Sequence, residues 1–357
     1  MKALTKHPLF LTPALLAMAP TATVVQELKF APADDTTLTK TFATDMEFNL
    51  DDLSIMVDGQ DVSAMMGAFE MSMTSESEIS VTDTYMGVAD GRPTKLKRTF
   101  DALESNTSVD VATEFGGESQ DIPASSPLEG ATVIYIWNAD EDKYDVAYEE
   151  EGGDEELLDG LIEDFDMRTF LPPGPVEVGD SWTVDGKALA ELAMQGNSLH
   201  LMPEEMGEDE LEMMEQFMND EFMSTFEELY DGLLECTLKG MREEDGNQLA
   251  DIEVKMELNA SVDLVDTILE VIATVAESEG EEMPPLDLSA ADLNADFEGE
   301  GTFVWNLTNN HMQSLESAGD FSVAFDISAS VEEGGESQSF DASIEGSGTI
   351  STKASAE

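Results

Sequence analysis

The stretch Phe69-Glu-Met-Ser-Met-Thr-Ser-Glu-Ser-Glu-Ile-Ser-Val-Thr-Asp-Thr-Tyr85 keeps Phe69, Met71, Met73, Ile79, Val81 and Tyr85 on odd positions, while Glu70, Ser72, Glu76, Glu78 and Thr82 take even ones. A period of two predicts one half-buried β-strand, because successive side chains of a strand point to opposite faces. The run is 17 residues long, about three times the usual strand length.

The same style extends both ways. Upstream, Phe42, Met46, Phe48 and Leu50 use even positions, then Leu53, Ile55 and Val57 use odd ones. The phase flips at Asp51-Asp52, as a β-bulge requires. Downstream, alternating runs pass through Val109, Val111 and Phe115, then Val133, Tyr135 and Trp137, then Tyr144, Val146 and Tyr148. The second half repeats the pattern from Ile252 to Leu264, Leu293 to Trp305, Phe321 to Val331, and Phe340 to Ile344. Gly346 and Gly348 read as a further turn. Long strands with one wet face predict twisted antiparallel sheet.

Helices are expected in the middle of the chain. Leu157, Leu158, Leu161, Ile162 and Phe165 follow helical spacing, and 203–231 aligns Met206, Leu211, Met214, Phe217, Met218, Phe222 and Phe226 on one stripe opposite an acidic face. Segment 267–276 is apolar almost throughout and reads as either helix or buried strand. The fold class that follows is α+β: one or two long, curved antiparallel β-sheets, half-barrel-like, with helices packed on one face. By architecture alone this resembles the half-barrel of periplasmic lipoprotein carriers.

Residues 1–22 read as a signal peptide: Lys2 and Lys6 precede a short apolar run from Leu9 to Ala19, with cleavage after Ala19 or Ala22. A run this short does not span a bilayer as a helix. Leu171-Pro-Pro-Gly-Pro175 then divides residues 23–171 from 172–357, as two sheet halves or one continuous domain.

Acidic residues outnumber basic ones 79 to 15, for a formal charge of −64 over 357 residues. Such a surface repels nucleic acid and anionic head groups and gathers cations. Its leading reading is adaptation to salt or solubility; the alternative is a dedicated calcium binder. With apolar residues at 41%, there is enough to build a core beneath the acidic skin. Arg92-Pro-Thr-Lys-Leu-Lys-Arg98 holds four of the basic residues. It reads first as a cationic strand pairing with acidic neighbours, and otherwise as the one place to receive an anion.

No catalytic signature is evident, so a non-catalytic protein is expected. Gly179-Asp-Ser-Trp182 superficially resembles a serine-hydrolase block, yet after removal of the signal only His200 and His311 remain as bases, in no recognisable spacing. Calcium is the better chemical candidate. Asn138, Asp140, Asp142 and Glu149 occupy positions 1, 3, 5 and 12 of an EF-hand-like frame, but Lys143 stands where the loop needs glycine. The competing reading, a plain hairpin with 140–143 at its tip, is favoured. The 21 methionines read chiefly as core filling, with soft-metal binding or an adaptable cavity as alternatives. The lone Cys236 reads as a buried structural thiol.

Leu171-Pro-Pro-Gly-Pro-Val-Glu-Val-Gly-Asp-Ser-Trp182 resembles a hallmark, Leu-Pro…Pro-Val-x-Val-Gly-Asp-Ser-Trp, of an uncharacterised family of exported bacterial proteins found in planctomycetes and related bacteria. The Met-bearing strands before it and Gly299-Glu-Gly-Thr-Phe303 after it are similar in style. The resemblance implies export and a sheet-rich fold. It assigns no activity and no site.

Together these readings point to an exported protein, periplasmic or extracellular, that holds an apolar small molecule in a curved sheet. The alternative is a calcium-dependent structural or surface protein whose acidic face collects divalent cations. No nucleic-acid partner, no integral membrane span and no cofactor other than calcium are expected.

Overall fold

The computed structural model describes residues 25–63, 69–113, 116–186, 199–204, 232–279, 286–333 and 336–357. The front half contributes β1 (Thr36–Val57), β2 (Gln60–Asp61), β3 (Phe69–Ala89), β4 (Arg92–Thr113), β5 (Gly116–Ser125), β6 (Thr132–Asn138) and β7 (Lys143–Tyr148). The back half contributes β8 (Ser181–Asp185), β9 (Met202–Pro203), β10 (Leu233–Glu244), β11 (Asn247–Asp263), α1 (Val265–Glu279), β12 (Leu286–Asn306), β13 (His311–Glu333) and β14 (Glu336–Ala356).

All of these strands share one sheet, in the order β7-β6-β4-β3-β1-β14-β13-β12-β11-β10-β8. Beside β4, β6 pairs with its beginning and β5 with its end. The two halves meet along β1 and β14, which pair from Lys40↔Ala356 to Val57↔Phe340. The sheet therefore runs unbroken across the expected 171/172 boundary. The register shift between Leu50 and Asp52 is the bulge that the phase flip requires. Strands of 21 to 23 residues such as β3, β12 and β13 are about 70 Å long at the usual rise.

Asp-Gly dipeptides set three of the tight reversals. Asp58-Gly59, Asp90-Gly91 and Asp245-Gly246 all have positive φ at both residues. That is the type I′ geometry whose twist matches the flanking strands.

The α+β expectation is overturned. The described chain is almost entirely antiparallel sheet, α1 is its one α-helix, and among the described residues no helical layer covers a face. The sheet is also open, since its edge strands β7 and β8 do not pair with each other. Helical spacing at 157–165 yields only a three-ten turn at Glu155–Leu158, because Asp159 is extended and Gly160 takes φ 74°. Segment 267–276 resolves as helix within α1, while the stripe at 205–231 and the signal segment 1–22 lie outside the described residues.

One face of the sheet is the inner face, and its two ends differ. At the proximal end, where the β3–β4, β10–β11 and β12–β13 turns lie, the main core gathers Phe42, Val81, Phe100, Ile252, Phe303 and Trp305. Leu28 and Phe30 of the N-terminal segment and Phe165 and Phe170 of the β7–β8 connection cover it. At the distal end a smaller cluster joins Ile268 and Leu269 of α1 to Leu288, Leu293 and Phe325.

Candidate functional site

Between these two clusters the inner face is a floor of aromatic rings laid on glycines. Phe48 pairs with Gly348, Gly348 with Phe321, and Phe321 with Phe297. The Phe48 and Phe321 rings are nearly parallel, 7° apart with centroids at 6.3 Å. A Cβ on Gly348 would come within 2.5 Å of the Phe321 ring, one on Gly346 within 2.3 Å of Phe48, and one on Gly319 within 2.7 Å of Phe297. Only glycine leaves room for a ring to lie along the sheet rather than stand up from it. Gly346 and Gly348, expected at a turn, thus sit in the middle of β14.

Four residues along β1 towards the core, beyond the Met46–Ile350–Gly319 row, the floor gives way to hydroxyls. Ser105, Ser77, Thr44, Thr352 and Ser317 face one another across five adjacent strands and end at Gly301. These side chains are half-buried and uncharged. The floor and this band together offer a long apolar strip with neutral hydrogen-bonding groups along one margin.

The outer face is the electrostatic opposite. Glu257, Glu298 and Asp320 stand opposite one another on three strands, as do Asp263, Asp292 and Asp326. Such directly opposed like charges weaken a sheet. Two open grooves are lined by carboxylates, one of about 750 Å³ on the front half by Asp45, Glu76, Glu78, Glu104, Glu129 and Glu204. The other, of about 840 Å³, is lined by Glu47, Glu257, Glu298, Glu300 and Asp320, with Lys255 as its one cation.

The four residues of the EF-hand-like frame are not brought together. Asn138 and Lys143 close the β6–β7 hairpin, where Asn138 Nδ2 donates to Asp145 and Asn138 Oδ1 accepts from the Asp140 amide. Asp142 lies 3.9 Å from Arg92, and Glu149 grips Lys97 at 2.7 Å. Glu149 follows Lys143 by six residues along β7, roughly 20 Å at strand rise. Among the described residues, no group of three or more His, Cys, Asp or Glu is arranged to hold a metal ion.

The basic stretch 92–98 opens β4, and three of its four charges are engaged locally. Arg92 lies over the Trp137 ring at 4.1 Å, Lys97 holds Glu149, and Arg98 is fully buried. In Gly179-Asp-Ser-Trp182, the Asp180 carboxylate accepts from the Glu177 amide, Ser181 meets Thr237 at 2.8 Å, and Trp182 Nε1 donates to Phe170 O at 3.1 Å. This is a turn that opens β8. Cys236 is buried, and burial pushes its thiol up to about 12, where it is inert.

What the sequence reading missed is a sealed charge cluster beneath the proximal core. Asp83 takes two hydrogen bonds from Arg98 and one from Lys40, and Lys40 also reaches Asp166 at 2.8 Å. All of these side chains are 0–1% exposed. Tyr85 donates to Asp166, and Arg98 stacks 3.9 Å from the Phe165 ring. Burial opposes the charge on Lys40, but Asp166 and Asp83 outweigh it and hold the ammonium above its ordinary value. Burial likewise opposes the Asp83 charge, and Arg98 with Lys40 outweighs it and lowers the carboxyl. A signal was present: Lys40, Asp83 and Arg98 each occupy an apolar-phase position, flanked by Leu38 and Phe42, Val81 and Tyr85, Leu96 and Phe100. Asp83 pairs directly with both Leu38 and Arg98, so the ladder itself juxtaposes these charges.

Comparison with known proteins places the chain in no family: no family model matches it and no curated protein matches it. Among the described residues no helix is long and apolar enough to cross a membrane, which says nothing of a β-barrel.

Proposed function

We propose that this is an exported, non-catalytic binding protein that holds an apolar small molecule on the distal inner face of its sheet. The observation that carries the reading is the floor of Phe48, Phe321 and Phe297 laid flat on glycines. Rings that lie down offer a broad, shallow apolar surface, which suits an extended chain better than the interlocking side chains of a second protein layer. The neutral hydroxyl band along its margin suits a small uncharged polar end. Export is supported by the basic and apolar character of residues 1–22 and by the family resemblance at 171–182.

The test uses protein purified from its host and a fluorescent fatty acid, cis-parinaric acid. Native mass spectrometry is expected to find a lipid-sized adduct, and parinarate fluorescence to rise on binding. Phe321→Glu, which places a charge in the floor, is expected to weaken binding at least tenfold. No adduct and no fluorescence rise in the wild type overturns the reading, as does equal binding by the Phe321→Glu protein.

The opposed carboxylate rows of the outer face favour a second reading, a calcium-dependent structural or surface protein. Unfolding across sodium chloride, with and without a few millimolar calcium, separates the two. Stabilisation that follows ionic strength alone indicates screening, whereas a large extra calcium effect indicates specific sites on the native state.

A further inference from the structure

The connection between β7 and β8 is held over the proximal inner face largely by charge. The Ile162 and Glu163 carbonyls accept from Arg98, Asp166 accepts from Lys40 and Tyr85, and Arg168 grips both Glu163 and Asp164. The cluster counts three cations (Lys40, Arg98, Arg168) and three carboxylates apart from Glu163 (Asp83, Asp164, Asp166). These six balance without Glu163. An ionised Glu163 is a fourth carboxylate, itself buried at 7% exposure.

The geometry at Glu163 agrees. Its Oε2 takes the Arg168 guanidinium, while its Oε1 is buried with no hydrogen-bond partner among the described residues, as are the nearby Tyr135 hydroxyl and Asp166 Oδ1. A bare carboxylate oxygen away from water is costly, and a proton on it removes that cost. Arg168 keeps Asp164 at 2.9 Å when Glu163 is neutral, so protonation strands no cation. The groups facing Glu163 are Arg168 and Asp164 of its own segment, Arg98 of β4, Tyr135 of β6 and Tyr144 of β7. Lys40, Asp83, Tyr85, Asp166 and His311 form the next shell of the same cluster.

We propose that residues 155–178 form a pH-sensitive strap, seated on the sheet while Glu163 carries its proton and loosened at the Glu163–Arg168 end when it ionises. Burial is the main cause that pushes this carboxyl up to about 7, against the pull of Arg168, so the change falls near neutral pH. Loosening is local, because Phe165 and Phe170 stay anchored at 0% and 2% exposure. The device works whether or not the distal floor carries a ligand.

Hydrogen exchange of the intact protein tests it, read on peptides spanning 161–171 and corrected for the intrinsic rate at each pH. Protection is expected to fall roughly tenfold or more between pH 6 and pH 8.5, each unit of pKa separation being tenfold in population. The Glu163→Gln protein, an isostere of the protonated form, is expected to stay protected at both pH values. Asp164→Asn leaves Glu163 as the only carboxylate on Arg168 and is expected to move the midpoint below that of the wild type. Flat protection in the wild type overturns the strap, and so does an unchanged pH profile in Glu163→Gln. Should Glu163→Gln fail to fold, the Asp164→Asn shift decides, and an unmoved midpoint overturns the assignment to Glu163.

Discussion

The two ends of the inner face are built from the same strands and the same alternation, yet they are different materials. Proximally, β1 turns Leu38, Lys40 and Phe42 into a site sealed by the strap and the N-terminal segment, with Lys40 at 0% exposure. Distally, the same strand turns Met46, Phe48 and Leu50 towards a face where they remain half-buried. Alternation fixes which side chains share a face; what lies above that face decides whether it becomes core. A charge is retained in the proximal phase only because a neighbouring strand supplies its partner.

The contrast can be broken or sharpened by substitution. The largest effect belongs to Asp83→Ala, which strands Lys40 and Arg98 in a dry site and is expected to cost about 3–5 kcal/mol in urea unfolding at pH 7. Next come two phenylalanines measured side by side. Phe165→Ala, at the sealed end, is expected to cost about 3–5 kcal/mol, and Phe321→Ala, on the distal floor, about half as much. Equal costs would mean that the distal floor is as fully packed as the proximal core, and the comparison would fall. Gly348→Ala forces the Phe321 ring and the β1 backbone away and is expected to cost about 1–3 kcal/mol by overpacking. Little or no loss would show that the rings do not need the glycines.

Smaller effects probe the charges. Glu163 has its folded pKa raised above the unfolded one, so its contribution is fully present below about 4.5 and is lost as pH rises through about 7. In that window the native state holds more protons than the unfolded one, so stability falls with rising pH, by on the order of 3 kcal/mol. Glu163→Gln removes that slope and leaves the rest of the pH profile in place. On the outer face, Glu298→Lys sits between Glu257 and Asp320 and is expected to stabilise by about 0.5–1 kcal/mol at low salt. That gain should vanish in molar sodium chloride, where screening reaches about 3 Å.

How much of this was legible follows from the same distinction. Period-two alternation located β3 from its first residue, and the phase flip located the bulge of β1. Both are local properties of a strand with one covered face. The Asp-Gly reversals were equally available in the chain, at 58–59, 90–91 and 245–246, and went unread. Gly346 and Gly348 were misread as a turn because their reason lies on β1 and β13, in Phe48 and Phe321. The helical spacing at 157–165 misled because Gly160 interrupts it and the segment takes its shape from Arg98 and Lys40. The calcium frame on Asn138, Asp140, Asp142 and Glu149 matched in spacing but not in space, since a hairpin carries Glu149 away from the tip. The buried cluster was half legible: three charges in apolar phase announce a network, but only the register says which partners meet.

The seam between β1 and β14 joins the two ends of the chain. Thr44 and Thr352 touch across it, 308 residues apart in the chain. Nothing can pair with that side of β1 until β14 has emerged, and contacts so distant in sequence make folding slow. In the interval each half-sheet waits with an unpaired edge, the condition under which strands of different molecules join. The carboxylate rows, costly within the finished sheet, repel the same rows on a second molecule.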